Sequence, residues 1–475
     1  MLIQSSIDRT VIVQSPPTTD FDLFIRFSNP NHLLSHLWPL IPMFQKTLLP
    51  RIRWKNLTQP WQGVDFLLLL GAMGLMVLGS VMIRSIQLNK QLTDWTQHLV
   101  TGGIGVFIVL ILSRWRYELL LPWRWLIYGV VNFGLLCVMF FGRTELGATR
   151  WINILGFNVQ PSEFAKLGII ITLAALLHDR PANTLGSMMR TMSIVGLPLV
   201  LILLEPNLGT SLVIVAITIG MLYWGNANPG WIVLMLSPVF SAILLNILPT
   251  ALKGVNPMLT PLGVGLWLIW VATMGIVALR TLPWQKWGTL GAVVVNLVSG
   301  GLGDFLWHRL HDYQKQRVTM FLDPDQDALG GGYHLIQSRI AIGAGKLVGQ
   351  GLNHGTQTQL NFIPEQHTDF IFSAIGEELG FVGSSAVLLT FLLICHRLLV
   401  IAQNAKDDFG SLIAIGMFSM IIFQAFVNIG MTIGLSPVTG IPLPFLSHGR
   451  SALLMNFLAL GLVESVANHR QKMRY

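Results

Sequence analysis

Charged residues are scarce in this 475-residue chain: Asp, Glu, Lys and Arg together make up 11%, against 52% hydrophobic residues. Soluble domains contain about a quarter charged residues, so this composition excludes an ordinary soluble protein and indicates a polytopic membrane protein. Cysteine is scarce too. The two cysteines, Cys137 and Cys395, lie inside apolar runs, which argues against a disulfide framework and against a cysteine metal site. P-loop and dinucleotide-binding glycine patterns are absent, so nucleotide-driven chemistry lacks support.

The charges that are present indicate a membrane topology. The formal net charge is +8, but Lys and Arg lie mainly in short loops and at the termini, which is the pattern of cytoplasmic loops. We therefore expect no nucleic-acid partner. Residues 1–60 contain no apolar run long enough to span a bilayer, and they are predicted to form a cytoplasmic arm.

Apolar runs predict an all-α polytopic integral membrane protein with about 12 transmembrane helices. The runs lie near residues 63–84, 98–113, 122–141, 161–178, 190–204, 208–225, 230–249, 261–280, 287–303, 371–398, 409–433 and 443–466. An even number of crossings places both termini on one side, predicted to be cytoplasmic. Residues 304–370 then form a large extracytoplasmic loop, and long loops of this kind are more often functional than idle.

The most polar long segment is Gly351–Leu379, which leads into the next apolar run. Each unpaired amide, hydroxyl or carboxylate costs several kcal/mol in hydrocarbon, so a membrane protein that keeps this many at a span is expected to use them. Asp369 is the leading candidate for a catalytic carboxylate. The alternative is a carboxylate that fixes the loop by accepting backbone N–H bonds.

Two further polar groups interrupt the apolar pattern. Pro161 suits a first helical turn, which places Glu163 and Lys166 three residues apart on one helix face, where they can pair. They are either a structural ion pair or charges lining a polar cavity. The second interruption is Glu205 to Thr210, EPNLGT, which is either a tight extracytoplasmic hairpin or a broken-helix site for an ion or head group.

Four separated segments resemble the SEDS family (shape, elongation, division and sporulation). They are GATRWINILGFNVQPSEFAK (147–166), YQKQRVTMFLDPDQDALGGGYHLIQSRIAIGAGKLVGQG (313–351), GTQTQLNFIPEQHTDFIFSAIGEELG (355–380) and SPVTGIPLPFLSHGRSALLMNFLALGLV (436–463). The sequence GTQTQLNF before PEQHTDFIF is more similar to the elongation members than to the division members. The resemblance covers most of the chain and implies a SEDS-type transmembrane domain over residues 61–475.

The resemblance implies a peptidoglycan glycosyltransferase. Such an enzyme polymerises lipid II at the outer face of the plasma membrane, releases undecaprenyl diphosphate, and works with a class B penicillin-binding protein and other membrane proteins of the elongation complex. The family's essential aspartate falls on Asp369, and its functional acid and lysine fall on Glu163 and Lys166. The family has ten spans, so the apolar pair within 250–303 resembles an inserted pair of helices.

The chain departs from the family pattern at two places. The family usually has Gln-Pro-Asp-Leu-Gly-Thr where this chain has Glu205-Pro206-Asn207-Leu208-Gly209-Thr210, so the acid at 207 is replaced and Glu205 is the candidate substitute. The family's Ser-Tyr-Gly-Gly-Ser corresponds here to Ser447-His448-Gly449-Arg450-Ser451, which puts a cation where glycine is usual.

Glycosyl transfer needs a base for the acceptor hydroxyl and positive charge for the leaving diphosphate. Asp369 can be the base. The predicted substrate-binding residues are Glu163, Lys166, Glu205, Arg150, Arg317, Arg339 and His367. A divalent cation, Mg²⁺ or Mn²⁺, on the loop carboxylates is an alternative source of positive charge. A lipid II flippase or other transporter, and a non-catalytic scaffold of a cell-wall synthase, are the competing functions.

Overall fold

The computed structural model describes residues 61–87, 94–145, 148–154, 157–249, 260–309, 332–360, 362–363 and 365–470. The predicted arm, residues 1–60, lies outside the described residues, and so does the greater part of the chain between 304 and 331. Within the described part the protein is a helical bundle.

The elements follow one another along the chain with short connections. They are α1 (Phe66–Ile86), α2 (Asp94–Leu112), a 3₁₀ helix (Tyr117–Trp123), α3 (Arg124–Phe141), β1 (Arg143–Glu145), β2 (Ala148–Ile154), β3 (Phe157–Val159), α4 (Pro161–Asp179), α5 (Leu185–Leu204), α6 (Leu208–Trp224), α7 (Pro229–Asn246), α8 (Thr260–Thr281), α9 (Gln285–Arg309), α10 (Tyr333–Ala344), α11 (Thr356–Gln359), α12 (Ile371–Gln403), α13 (Asp408–Ile433) and α14 (Arg450–Asn468).

Ten of the described helical segments are long and apolar enough to cross a membrane, so the prediction of a multi-pass membrane protein is confirmed. Each of the twelve predicted apolar runs contains a helix. The count of twelve spans is not confirmed, because α6 is shorter, at 17 residues, and α9 does not reach the same apolarity. The helix of the last run begins later than predicted, at Arg450, after an irregular polar segment.

The inner helices are α4, α13 and α14, whose side chains are mostly buried. Helices α1, α2, α6 and α12 pack around them, whereas α2, α3 and α8 expose many large apolar side chains. The outward side of a membrane protein faces lipid, so these exposed apolar residues need no protein partner. Helices α8 and α9, which correspond to the predicted inserted pair, pack on each other and on α7. Their origin as an insertion stays a prediction.

A small antiparallel sheet, β1-β2-β3, stands between α3 and α4. In the β2–β3 hairpin Ile152 pairs with Val159, and the Asn153 side-chain amide donates to Asn158 Oδ1 at 2.9 Å. The all-α prediction missed this sheet, because its strands have three to seven residues and lie in a connection between two long apolar runs. The sheet carries Arg150 and delivers the chain to the start of α4.

Candidate functional site

The polar turn before α12 holds Asp369. Its backbone N–H donates to the Glu365 carbonyl at 3.1 Å, and its carbonyl accepts from the Asn428 side chain of α13 at 2.9 Å. Asn428 also donates to the Ile441 carbonyl at 2.7 Å, so one buried amide joins this turn to the segment between α13 and α14. A Cβ on Gly440 would lie 3.4 Å from Asp369 Oδ2. The carboxylate is therefore beside residues 434–449, which we call the α13–α14 segment.

The first turn of α4 holds Glu163 and Lys166. Pro161 begins the helix, and Lys166 Nζ lies 2.7 Å from Glu163 Oε2, so the predicted pairing is confirmed. Both side chains are almost fully buried, at 1% exposure for Lys166 and 5% for Glu163. Burying two charges has a large desolvation cost, which only close pairing and further hydrogen bonds offset. This is not a solvated surface pair.

Ser162 and Asn207 connect the start of α4 to the start of α6. Asn207 Nδ2 donates to Ser162 Oγ at 3.3 Å, and Asn207 Oδ1 accepts from the Thr210 backbone at 3.3 Å, capping α6. Two residues on, a Cβ on Gly209 would lie 2.9 Å from the Thr439 carbonyl. The α6 start thus contacts the α13–α14 segment, the same segment that adjoins Asp369. Asp369, the Glu163–Lys166 pair and the α5–α6 turn therefore meet at one end of the bundle.

Glu205 lies at the α5–α6 turn and is 3% exposed. Within the described part of the chain neither of its carboxylate oxygens has a hydrogen-bond partner. Burial raises the pKa of Glu205 to about 8, although the nearby Arg150 guanidinium acts in the opposite direction. Arg150 donates to the Pro206 carbonyl, so the sheet brings a cation to this turn, as the pairing of these two predicted site residues requires. A buried carboxyl group with unused oxygens can bind a cation or a hydrogen-bond donor.

Histidines border Asp369 on the side of the α13–α14 segment. The His448 backbone N–H donates to the His367 carbonyl at 2.9 Å, and the two rings are 5.7 Å apart. Burial lowers the pKa of His448; Asp94 opposes this shift, and His367 and Arg450 reinforce it. Arg450 begins α14, so the extra cation that distinguishes this chain lies at the same end as Asp369.

Two of the predicted cations are not part of this group in the described structure. Arg339 is exposed on α10, where its Cδ lies 3.4 Å from the position that a Cβ on Gly434 would take. It is therefore beside the end of α13 and not at the α4–α6 junction. Arg317 lies outside the described residues, so its role stays a prediction.

Sequence reasoning singled out neither Glu377 nor Glu378, although both lie in the polar segment that it favoured. Glu377 is fully buried and accepts from the backbone N–H groups of Gln357 and Thr358, at 2.8 and 2.9 Å. Glu378 is fully buried and accepts from Ser85 Oγ at 2.6 Å. The two carboxylates fix the loop before Asp369 to α12 and α1. Adjacent acids inside a buried helix were the available signal, and only the fold shows their partners.

The prediction of a divalent cation is not tested. Among the described residues, no group of three or more His, Cys, Asp or Glu side chains is placed to hold a metal ion. The loop carboxylates Asp323, Asp325 and Asp327 lie outside the described residues. No step of the mechanism below depends on a metal.

The fold and this polar end define a class: a multi-pass membrane protein with buried charges and a half-buried carboxylate gathered at one end of its helices. The chain belongs to the FtsW/RodA/SpoVE family of cell cycle proteins, whose model matches residues 62–261 and 259–472. It is 33% identical over 370 residues to the peptidoglycan glycosyltransferase MrdB of Escherichia coli (strain K12), covering 78% of this chain and 84% of that protein. It is 34% identical over 427 residues to the peptidoglycan glycosyltransferase RodA of Treponema pallidum (strain Nichols), covering 86% and 98%.

A solved structure described as the structural coordination of polymerization and crosslinking by a peptidoglycan synthase complex has the same fold. Its TM-score is 0.61 at 28% sequence identity, covering 86% of this chain and 99% of that one. The family resemblance read from the four sequence motifs is therefore confirmed.

Proposed function

We propose that this protein is a peptidoglycan glycosyltransferase that polymerises lipid II into glycan strands during cell-wall elongation and maintenance of cell shape. The observation that carries the proposal is the convergence of Asp369, the buried Glu163–Lys166 pair and the α5–α6 turn at one end of a membrane-spanning bundle. Relatives of high coverage named as peptidoglycan glycosyltransferases support it. The substrate would enter from the membrane by its lipid tail and place its diphosphate at this polar end.

In the proposed reaction, an acceptor sugar hydroxyl attacks the anomeric carbon of the donor. The new C–O bond forms as the bond from that carbon to the diphosphate breaks, and Asp369 takes the hydroxyl proton. Undecaprenyl diphosphate leaves with the electron pair. Lys166 and Arg150 stabilise its charge, which grows in the transition state, and a site with little water strengthens this interaction. Attack opposite the leaving group inverts the anomeric centre, by analogy with inverting glycosidases.

The location that follows is the plasma membrane, with both termini in the cytoplasm and the polar end facing outside. The distribution of basic residues supports this orientation: Arg124, which pairs with Asp179, and Lys406, which lies 3.1 Å from Glu118, occupy the opposite end of the bundle. The proposed partners are a class B penicillin-binding protein that crosslinks the new strand and the other membrane proteins of the elongation complex. The solved complex that joins polymerization with crosslinking supports the first of these.

The test is polymer synthesis by the purified protein in liposomes that contain lipid II, with and without the purified transpeptidase partner. Glycan chains are separated by length, and Asp369→Asn is the matched control because it keeps the size of the side chain and removes its basicity. We expect chains that disappear with Asp369→Asn. Transfer of lipid II across the bilayer without polymer would indicate the transporter, for which a broken helix such as α12 would also be suitable. Polymer that persists with Asp369→Asn would indicate a scaffold for another enzyme.

A further inference from the structure

The longest helix, α12, is broken near its outer end. Gly380 has φ +66°, inside an otherwise helical run from Ile371 to Gln403. A break releases backbone donors and acceptors that cannot stay unpaired at membrane depth. The loop 345–351 pairs with them: the N–H groups of Phe381 and Val382 donate to the Lys346 and Leu347 carbonyls, at 2.9 and 3.0 Å.

The pairing continues on the other side of the break. The N–H groups of Gln350 and Gly351 donate to the Glu377 and Glu378 carbonyls, at 2.9 and 3.0 Å. Glycine is required at this contact, because a Cβ on Gly349 would lie 2.1 Å from the Glu378 carbonyl oxygen. Its φ of +83° also favours glycine. The backbone of the loop is therefore satisfied by the broken helix and does not depend on water.

Helix α1 measures the depth of this loop in the membrane. Its 21 residues, Phe66–Ile86, rise about 32 Å, close to the roughly 30 Å of bilayer hydrocarbon. At one end, Asp65 pairs with Arg397 of α12; at the other, Ser85 donates to Glu378 of α12. Glu378 is thus at the outer edge of the hydrocarbon. Val382 is one turn further in, about 6 Å deeper.

The side chains of the loop suit that depth. Leu347 and Val348 are 68% and 79% exposed, and Phe381 and Val382 beside them on α12 are 66% and 61% exposed. Because Leu347 is hydrogen-bonded to Val382, the four side chains form one continuous apolar surface, which we call the loop patch. Two large apolar side chains at such exposure are unfavourable in water and favourable against lipid tails.

We propose that residues 345–351 form a re-entrant loop whose Leu347 and Val348 side chains contact the acyl chains of the outer leaflet. The occupant of the loop patch is bilayer lipid, since the patch is continuous with the lipid-facing surface of α12 and lies at hydrocarbon depth. The loop runs on into the residues that Glu377 and Glu378 hold before Asp369. Its contact with lipid therefore sets the height of the polar end relative to the membrane surface.

Fluorescence quenching tests the proposal directly. A bimane label is placed on a single cysteine at position 348, in a protein with Cys137→Ala and Cys395→Ala, reconstituted in liposomes. A label at Val382 is the lipid-facing control, and a label at His354, an exposed polar residue further along the chain, is the water-facing control. Each is exposed to nitroxide attached to lipid acyl chains, and separately to iodide in the aqueous phase.

We expect quenching at 348 to match that at 382: strong by the acyl-chain nitroxide and weak by iodide. Quenching like that at 354, strong by iodide, would overturn the proposal. Protection from both quenchers would also overturn it, because the patch would then be covered by protein. Monodisperse elution of each labelled protein in detergent shows that it is folded. The result is independent of catalysis, so the re-entrant loop and the proposed glycosyltransferase can fail separately.

Discussion

Removing one member of the Glu163–Lys166 pair should be costly. The ammonium and carboxylate are 2.7 Å apart and nearly inaccessible to water, so either one alone would be a buried, uncompensated charge. Breaking such a pair typically costs about 3–5 kcal/mol. Glu163→Gln should fall at the lower end of that range because its amide oxygen can still accept from Lys166. Lys166→Met should fall at the upper end because it leaves a bare carboxylate.

Two double variants separate stability from function. Glu163→Leu with Lys166→Met removes both charges, and such replacements are often neutral or stabilising. Glu163→Lys with Lys166→Glu keeps a pair three residues apart, with a penalty of about 0.3–1 kcal/mol for a cation in the first turn of α4. Both should melt close to the parent temperature in detergent, in contrast to the single variants.

The activity of the double variants decides between the two interpretations of the pair. If Lys166 faces the leaving diphosphate, both double variants should be folded and synthesise no glycan chains from lipid II. Thermal melting and chain separation by length are measured on the same preparations. Parent-level synthesis by the exchanged protein would refute the reasoning, because the pair would then only hold the start of α4 in place.

Three further predictions concern the other acids of the polar end. Asp369→Asn should lower polymerisation by roughly 10²-fold or more, the usual contribution of a positioned base, and near-normal synthesis by a folded variant would contradict its assignment. Glu205→Gln should impair synthesis, and adding Asn207→Asp should restore part of it; parent-level synthesis by the single variant would mean that no acid is required at this turn. The folded pKa of Glu205, about 8, exceeds the ordinary value of 4.5, so unfolding releases a proton and stability should fall as pH rises through that interval. Melting temperatures measured across this interval should fall less steeply for Glu205→Gln. Glu377→Gln should destabilise the protein, because a neutral amide oxygen accepts more weakly from the Thr358 backbone than a carboxylate does, and an unchanged melting temperature would argue against this anchoring role.

The sequence by itself determined the membrane architecture. All twelve apolar runs coincide with helices, because bilayer thickness fixes the length of each run and the helix satisfies every backbone group within its own segment. The pairing of Glu163 with Lys166 was also predictable, since it depends only on helical spacing after Pro161. Four ordered motifs were enough to identify the family. These are local properties, which need no knowledge of how the helices pack.

Tertiary structure decided the rest. Asn207 donates to Ser162 across 45 residues and Ser85 donates to Glu378 across 293, and no local pattern indicates such partners. The break at Gly380 is another case, because glycine alone does not break a helix; here the loop 345–351 supplies the hydrogen bonds that the break requires. Burial has the same origin. Glu205 can be a hairpin residue in water or a buried acid, and only the packing of α5 and α6 against their neighbours removes the water that would otherwise keep its pKa low.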